Sequence, residues 1–350
     1  MSNVVKYNKK PTVHGTGLIA LDIVISSNPD VPTRQYAGGT CGNVLTILSY
    51  LGWNSYPIAR LNDEPSSIHA KNDLARWDVR ENFLHMDPVA PIPVITQENS
   101  RDRDGNPKHR FHWKNCPKCG SWLPNYKAVT LPAVEEIKRS VKQTELFFFD
   151  RTSPAALAMA KYFKSIGGLV FFEPSAKGDP RHFKEAMALA DIVKYSDQRF
   201  SEVIGESENQ LRPIIEIQTL GEQGLRYRSR RMTKWAHLRA HNAIKVVDSC
   251  GCGDWTTAGI IHSLLGRKPQ ELSKLVKKDI EEALKYGQAL GAWNCGFEGA
   301  RGGMYQMDKK SFEQDVKVIL KGGTYKPRLT SAADDSASAS DGLCPACPAS

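Results

Sequence analysis

The sequence predicts an α/β fold: a mostly parallel central sheet flanked by helices, with a small β-lid. Three observations predict it. From residue 144 onward, short apolar runs alternate with helical ones, the pattern of a parallel sheet covered on both faces. Two glycine-containing turns, around 38–42 and 251–253, each open a helix. Between 92 and 113, two β-like runs flank a polar turn, a hairpin that interrupts the alternation.

At 350 residues the chain can bury a full core. Its apolar share of 41% and charged share of 24% are those of an ordinary globular protein. Residues 1–10 are polar and no apolar run approaches a membrane span, so no membrane is expected and a cytoplasmic location is. The net charge of +9 suits a protein that handles an anionic ligand. In a reducing compartment, the eight cysteines are thiols or metal ligands.

The first apolar run spans 12–26 and carries Asp22 inside it, where an unpaired carboxylate is costly. It is either a satisfied structural group or a ligand contact. Ala37-Gly38-Gly39-Thr40-Cys41-Gly42-Asn43 opens a helix over 44–51. Its glycines let a ligand approach the backbone, and Asn43 offers a donor and an acceptor. A strand over 55–61 and a helix over 65–76 follow, then the hairpin 92–113. Strands are expected at 145–150, 168–173, 191–195 and 214–220, with helices at 155–166 and 182–190. Gly221 and Gly224 turn the chain into a β-run at 225–229. Ile244 to Val247 reads as a buried strand, 258–265 and 271–294 as helices, and 326–350 as a disordered tail. Residues 1–325 thus form one domain, with the lid inserted at about 92–125.

Asp248-Ser-Cys-Gly-Cys-Gly-Asp254 is the stretch with the most chemistry. A helix start leaves N–H groups unpaired, and its dipole favours an anion. The N–H groups of Gly251, Cys252 and Gly253 are candidates to hold one. A carboxylate beside an anion makes sense if Asp254 takes a proton from a hydroxyl while a phosphoryl group transfers. From spacing alone, an Asp that merely caps the helix is an equally good account.

These residues resemble the ribokinase-like, or PfkB, carbohydrate kinases, which also include nucleoside kinases. Gly38-Gly-Thr-Cys-Gly-Asn43 is similar to that family's early Gly-Gly-x-x-x-Asn signature, and Asp248 to Asp254 to its late Asp-Thr-x-Gly-Ala-Gly-Asp signature. Thr219-Leu-Gly-Glu-Gln-Gly224 resembles its nucleotide-binding turn. The resemblance covers roughly 12–320 and implies ATP-dependent phosphorylation of a small sugar or nucleoside, with Mg²⁺. Asp254 would be the catalytic base and Gly251, Cys252 and Gly253 the anion hole. Asp22, Gly38, Gly39, Asn43 and Asp150 would hold the acceptor. Ser196, Thr219, Gly221, Gly224 and Gln288 would contact ATP. In some members a monovalent cation binds near the position of Asp248, and the lid can pair subunits into a homodimer. One departure stands out: where the family often has Asn-x-x-Glu, this chain reads Ser196-Asp-Gln-Arg199. That departure motivates an alternative, a catalytically weak nucleotide- or sugar-binding regulatory or interaction module on the same fold.

Cys116-Pro-Lys-Cys119 is half of a zinc knuckle, and zinc wants four ligands. His109 and His112, or Cys344 and Cys347, could complete it; otherwise the pair is two free thiols. The basic cluster from Arg226 to Arg239 reads first as a solvated face, and nucleic acid is disfavoured because no stacking platform accompanies it.

Overall fold

The computed structural model describes residues 10–201, 213–264 and 269–323. The strands in chain order are β1 (Thr12–Thr16), β2 (Ala20–Ile25), β3 (Arg34–Gly38), β4 (Asn54–Pro57), β5 (Ala59–Leu61), β6 (Leu84–Met86), β7 (Val94–Arg101), β8 (Pro107–His112), β9 (Leu146–Phe149), β10 (Leu169–Phe172), β11 (Ile192–Ser196), β12 (Ile215–Thr219), β13 (Leu225–Ser229) and β14 (Ala236–Leu238). The helices are α1 (Thr40–Tyr50), α2 (Pro65–Arg76), α3 (Leu131–Ser140), α4 (Pro154–Ser165), α5 (Pro180–Leu189), α6 (Cys252–Leu264), α7 (Lys277–Asn294), α8 (Gly302–Gln306) and α9 (Lys309–Leu320).

The main sheet runs β14-β13-β12-β11-β10-β9-β1-β4. It is parallel from β4 to β12 and antiparallel at the β13–β14 end. Strand β9 shows why both faces are dry. Leu146 and Phe148 enter one apolar cluster with α1, α6 and α7, while Phe147 and Phe149 enter another with α3 and α4. The period of two sends alternate side chains to opposite faces, and each fully buried Phe contributes about 2 kcal/mol.

The hairpin is β7 and β8, paired antiparallel. It joins β2 and β3 in a separate sheet, β3-β2-β7-β8. The run at 12–26 is therefore two strands in two sheets, separated by residues 17–19. The run at 55–61 also divides: the chain stays with β1 as far as Ile58, whose N–H donates to Gly15 O at 2.7 Å. Ala59 then donates to Phe83 O and joins the β5–β6 pair.

Ile244 to Val247 is not the buried strand the sequence suggests. Ile244 is 39% exposed and Val246 45%. The main sheet already ends at β14, and the N–H groups of Val247 and Asp248 instead donate to Cys295 O at 2.7 and 3.2 Å. The helical pattern over 271–294 breaks at 275–276, leaving a 3₁₀ turn, Pro269–Lys274, before α7. Helix α6 begins at Cys252, earlier than the apolar run. Its axis lies close against α7: a Cβ on Gly259 would sit 2.7 Å from Gly287 Cα. The predicted tail at 326–350 lies outside the described residues.

Candidate active site

The two glycine motifs meet through side chains. Asn43 in the first turn of α1 donates from Nδ2 to Asp254 Oδ2 at 2.8 Å. Helices α1 and α6 bring the two residues together across 211 positions of sequence. Asn43 Oδ1 in turn accepts from Arg301 Nε at 3.1 Å. Arg301 is 1% exposed and also donates to Asp73 Oδ2 at 2.9 Å and to Ala37 O. The amide of Asn43 is thereby oriented, with its donor end facing the carboxylate.

Burial pushes the Asp254 carboxyl up to about 8, with the Glu173 carboxylate adding to the rise; the Asn43 bond, Lys194 and Arg199 oppose it. Glu173 is itself bound by Lys194 Nζ at 2.5 Å and Thr257 Oγ1 at 2.6 Å. Lys194 is 1% exposed, and a Cβ on Gly253 would lie 3.9 Å from its Nζ. A buried ammonium therefore stands behind the turn that opens α6.

That turn depends on Gly251, whose φ of +73° suits glycine and whose Cβ, if present, would fall on Ala300 O. Of the three expected anion donors, the Cys252 N–H already closes a turn on Ser249 O at 3.3 Å. Gly253 is exposed, and none of the described hydrogen bonds uses its N–H.

On the acceptor side, Asp22 on β2 lies flat against Gly38 on β3; a Cβ at Gly38 would fall on its carboxyl. Gly39 caps α1 with φ +75°. Burial raises Asp22 to about 6, against the pull of Arg301 and the Gly39 backbone. Asp22 Oδ1 and Arg301 Nη1 are buried without hydrogen-bond partners among the described residues. Asp150 is different: Oδ1 accepts from Leu18 N–H at 2.9 Å and Oδ2 from Arg151 at 2.7 Å. Its position is close, but its oxygens are already engaged.

On the opposite side, Ser196 and Thr219 end neighbouring parallel strands in register. Gly221–Gln223 forms a 3₁₀ turn, and Leu220 N–H donates to Gly224 O at 2.8 Å. Gly224 has φ +99°, and a Cβ there would fall on Leu238 O. Gln288 on α7 is buried, with its Nε2 unpaired among the described residues.

The carboxylate of Asp248, near which a monovalent cation is expected, is already engaged by the protein. Its Oδ1 accepts from Cys250 N–H at 2.9 Å and lies 3.3 Å from His109 Nδ1. Its Oδ2 accepts from Gln97 Nε2 at 2.5 Å and Gly299 N–H at 2.9 Å. The carboxylate thus ties the second sheet to the loop before α6. The zinc reading fares poorly. His109 faces Asp248, and His112 Nε2 lies 2.5 Å from Glu98 Oε2, so neither converges on Cys116 and Cys119. No group of three or more metal-ligating side chains is found among the described residues, and Cys344 and Cys347 lie outside them. The basic cluster is only partly a solvated face. Arg226 and Arg228 stack on Trp235 at 4.5 and 4.4 Å, and Arg228 is buried against Glu216 at 2.6 Å.

Sequence reasoning missed Arg301, Lys194 and Glu173. A basic residue inside the Gly299–Gly303 run and a lysine inside an apolar strand were the available signals.

The profile described as pfkB family carbohydrate kinase matches residues 28–306. A fructokinase of Klebsiella pneumoniae is 25% identical over 267 residues, 69% of this chain and 82% of that protein. An ATP-dependent ribose-1-phosphate kinase of Halopiger xanaduensis is 23% identical over 274 residues, 77% of this chain and 83% of that one. Among solved structures, fructokinase with bound ATP from Xylella fastidiosa aligns with TM-score 0.67 at 17% identity, over 89% of this chain and 99% of that one. Aminoimidazole riboside kinase from Salmonella enterica, complexed with aminoimidazole riboside and an ATP analog, aligns with TM-score 0.64 at 19% identity, over 87% and 99%.

Proposed function

This chain belongs to the pfkB family of carbohydrate kinases, and from that premise we propose that it transfers the γ-phosphoryl group of ATP to a hydroxyl of a small sugar or nucleoside. The observation that carries the reading is the 2.8 Å bond between Asn43 and Asp254, which unites an acceptor-side motif with a base-side motif.

The acceptor sits against Asp22, Gly38 and Gly39. The unpaired Asp22 Oδ1 and Arg301 Nη1 suit a polyol, whose hydroxyls both donate and accept. Asp254 is the base. A carboxyl raised to about 8 takes a hydroxyl proton more readily than an ordinary carboxylate does. Asn43 fixes its orientation. The turn at 251–253 faces the transferring group and, with the positive charge of Lys194 behind it, stabilises the charge that builds there. Ser196, Thr219, Gly221 and Gly224 seat the nucleotide, with Gln288 on its base side. Asp197, exposed just after β11, would hold Mg²⁺ brought in with ATP, which would supply charge neutralisation to the phosphates. The sheet of β2, β3, β7 and β8 acts as a lid that excludes water. Phe111, Trp113 and Trp122, exposed at its β8 edge, offer a surface for lid-to-lid pairing of two copies.

The test is ADP release from Mg·ATP against a panel of free sugars, sugar phosphates and nucleosides. Acceptor-dependent release supports the reading. Acceptor and ATP binding without any release would replace it with a sensing module.

A further inference from the structure

Three thiols gather at the turn that opens α6, and the proposed transfer uses none of them. Cys252 is in the first turn of α6, and Cys295, 43 positions later, caps the C-terminus of α7. Their Sγ atoms are 2.9 Å apart, and both residues are only half-buried. The third, Cys250, is close enough to influence Cys252 electrostatically. We propose that Cys252 and Cys295 form a reversible disulfide in response to peroxide, and that this bond distorts the anion turn and shuts phosphotransfer down.

The chemistry balances whichever thiol of the pair reacts first. The thiolate sulfur of one attacks hydrogen peroxide: an S–O bond forms, the O–O bond breaks, and the departing hydroxide takes a proton to become water. The other thiol then loses its proton and its sulfur attacks that sulfenic acid. The S–S bond forms, the S–O bond breaks, and the second hydroxide leaves as water with that proton. Two thiols and one peroxide become one disulfide and two waters.

The bond must shorten the gap from 2.9 Å to about 2.05 Å. Little around it is slack. Asn294 Nδ2 donates to Cys250 O at 3.0 Å, Val247 N–H to Cys295 O at 2.7 Å, and Thr256 Oγ1 to Cys252 O at 2.8 Å. The movement therefore reaches the Cys252 and Gly253 backbone. A misplacement of about 1 Å costs roughly 100-fold in rate, so a shift shared between the two helices lowers turnover by about tenfold or more.

The experiment treats the whole protein with hydrogen peroxide, maps its linked peptides by mass spectrometry, and measures the thermal shift produced by AMP-PNP with Mg²⁺ before and after. Turnover is followed with the panel acceptor that the reduced protein uses. The expected result is a Cys252–Cys295 peptide, loss of the nucleotide shift or of turnover, and recovery with dithiothreitol. Cys295→Ser keeps its turnover and resists peroxide. A map showing no link, or a Cys250–Cys252 link instead, overturns the proposal; so does a Cys252–Cys295 link that changes neither readout. The functional arm rests on the phosphotransfer reading, but the map does not. A reduced protein that neither turns over nor responds to AMP-PNP refutes that reading, while the map still decides the bond.

Discussion

Replacing Asp254 by Asn should separate catalysis from stability. In the folded chain the carboxyl titrates at about 8 instead of its ordinary 3.8. Between those values the folded state holds a proton that the unfolded chain has released, so stability falls as pH rises through that window. Each pKa unit is worth about 1.4 kcal/mol, so at pH 7 the buried acid costs about 4 kcal/mol. Asn carries no proton to hold, and its amide oxygen can still accept from Asn43 Nδ2. Asp254→Asn should therefore raise the free energy of unfolding, by at most about 4 kcal/mol at pH 7, with a larger gain at pH 8 than at pH 5. Turnover should drop by about 10²–10⁴-fold because the proton acceptor is gone. Urea denaturation at the two pH values and the ADP-release assay measure the two effects. A variant within twofold of native turnover would refute the base assignment. One less stable than the native chain at pH 8 would refute the account of burial.

The other perturbations test the surroundings. Asn43→Ala removes a bond that lowers the Asp254 pKa, so the rising limb of the turnover–pH profile should move to higher pH; an unmoved limb would mean that Asn43 does not act through Asp254. Lys194→Met strips Glu173 of its buried partner and should cost about 3–5 kcal/mol in urea unfolding; a loss well under 1 kcal/mol would contradict the pairing. Gly224→Ala meets both a left-handed φ and Leu238 O, and should destabilise by more than about 1 kcal/mol while raising the KM for ATP. An unchanged KM in a folded variant would place the nucleotide elsewhere.

What the sequence disclosed, and what it concealed, follows from range. The turns at 38–43 and 248–254 announce themselves because glycine spacing and a helix start are local. Helix α2 at Pro65–Arg76 and strand β13 at Leu225–Ser229 carry their own periodicity and turn signals, and their bounds were legible. Arg301 was not: its partners Asn43 and Ala37 lie 258 and 264 positions away, and no local pattern marks a guanidinium that closes such a distance. Asp248 shows the same limit, since Gln97 reaches it across 151 positions. The run at 12–26 misled for the opposite reason. Its composition is uniformly β-like, and only tertiary pairing shows that β1 and β2 serve different sheets. Ile244 to Val247 has strand-like residues, but Val247 N–H bonds Cys295 O instead of a strand, so propensity lost to tertiary context.

Glycine lies on both sides of the α6–α7 seam. A Cβ at Gly287 would come within 2.5 Å of Thr256 O, and one at Gly291 within 2.7 Å of Thr256 Oγ1. With no side chain to cushion that joint, the pair travels as a single strut, headed at one end by the turn at 251–253 and carrying Gln288 along its length. The spacing between that turn and Gln288 is thus fixed. The second sheet is held to the same turn, by Gln97 on β7 through Asp248 and by Ala37 on β3 through Arg301.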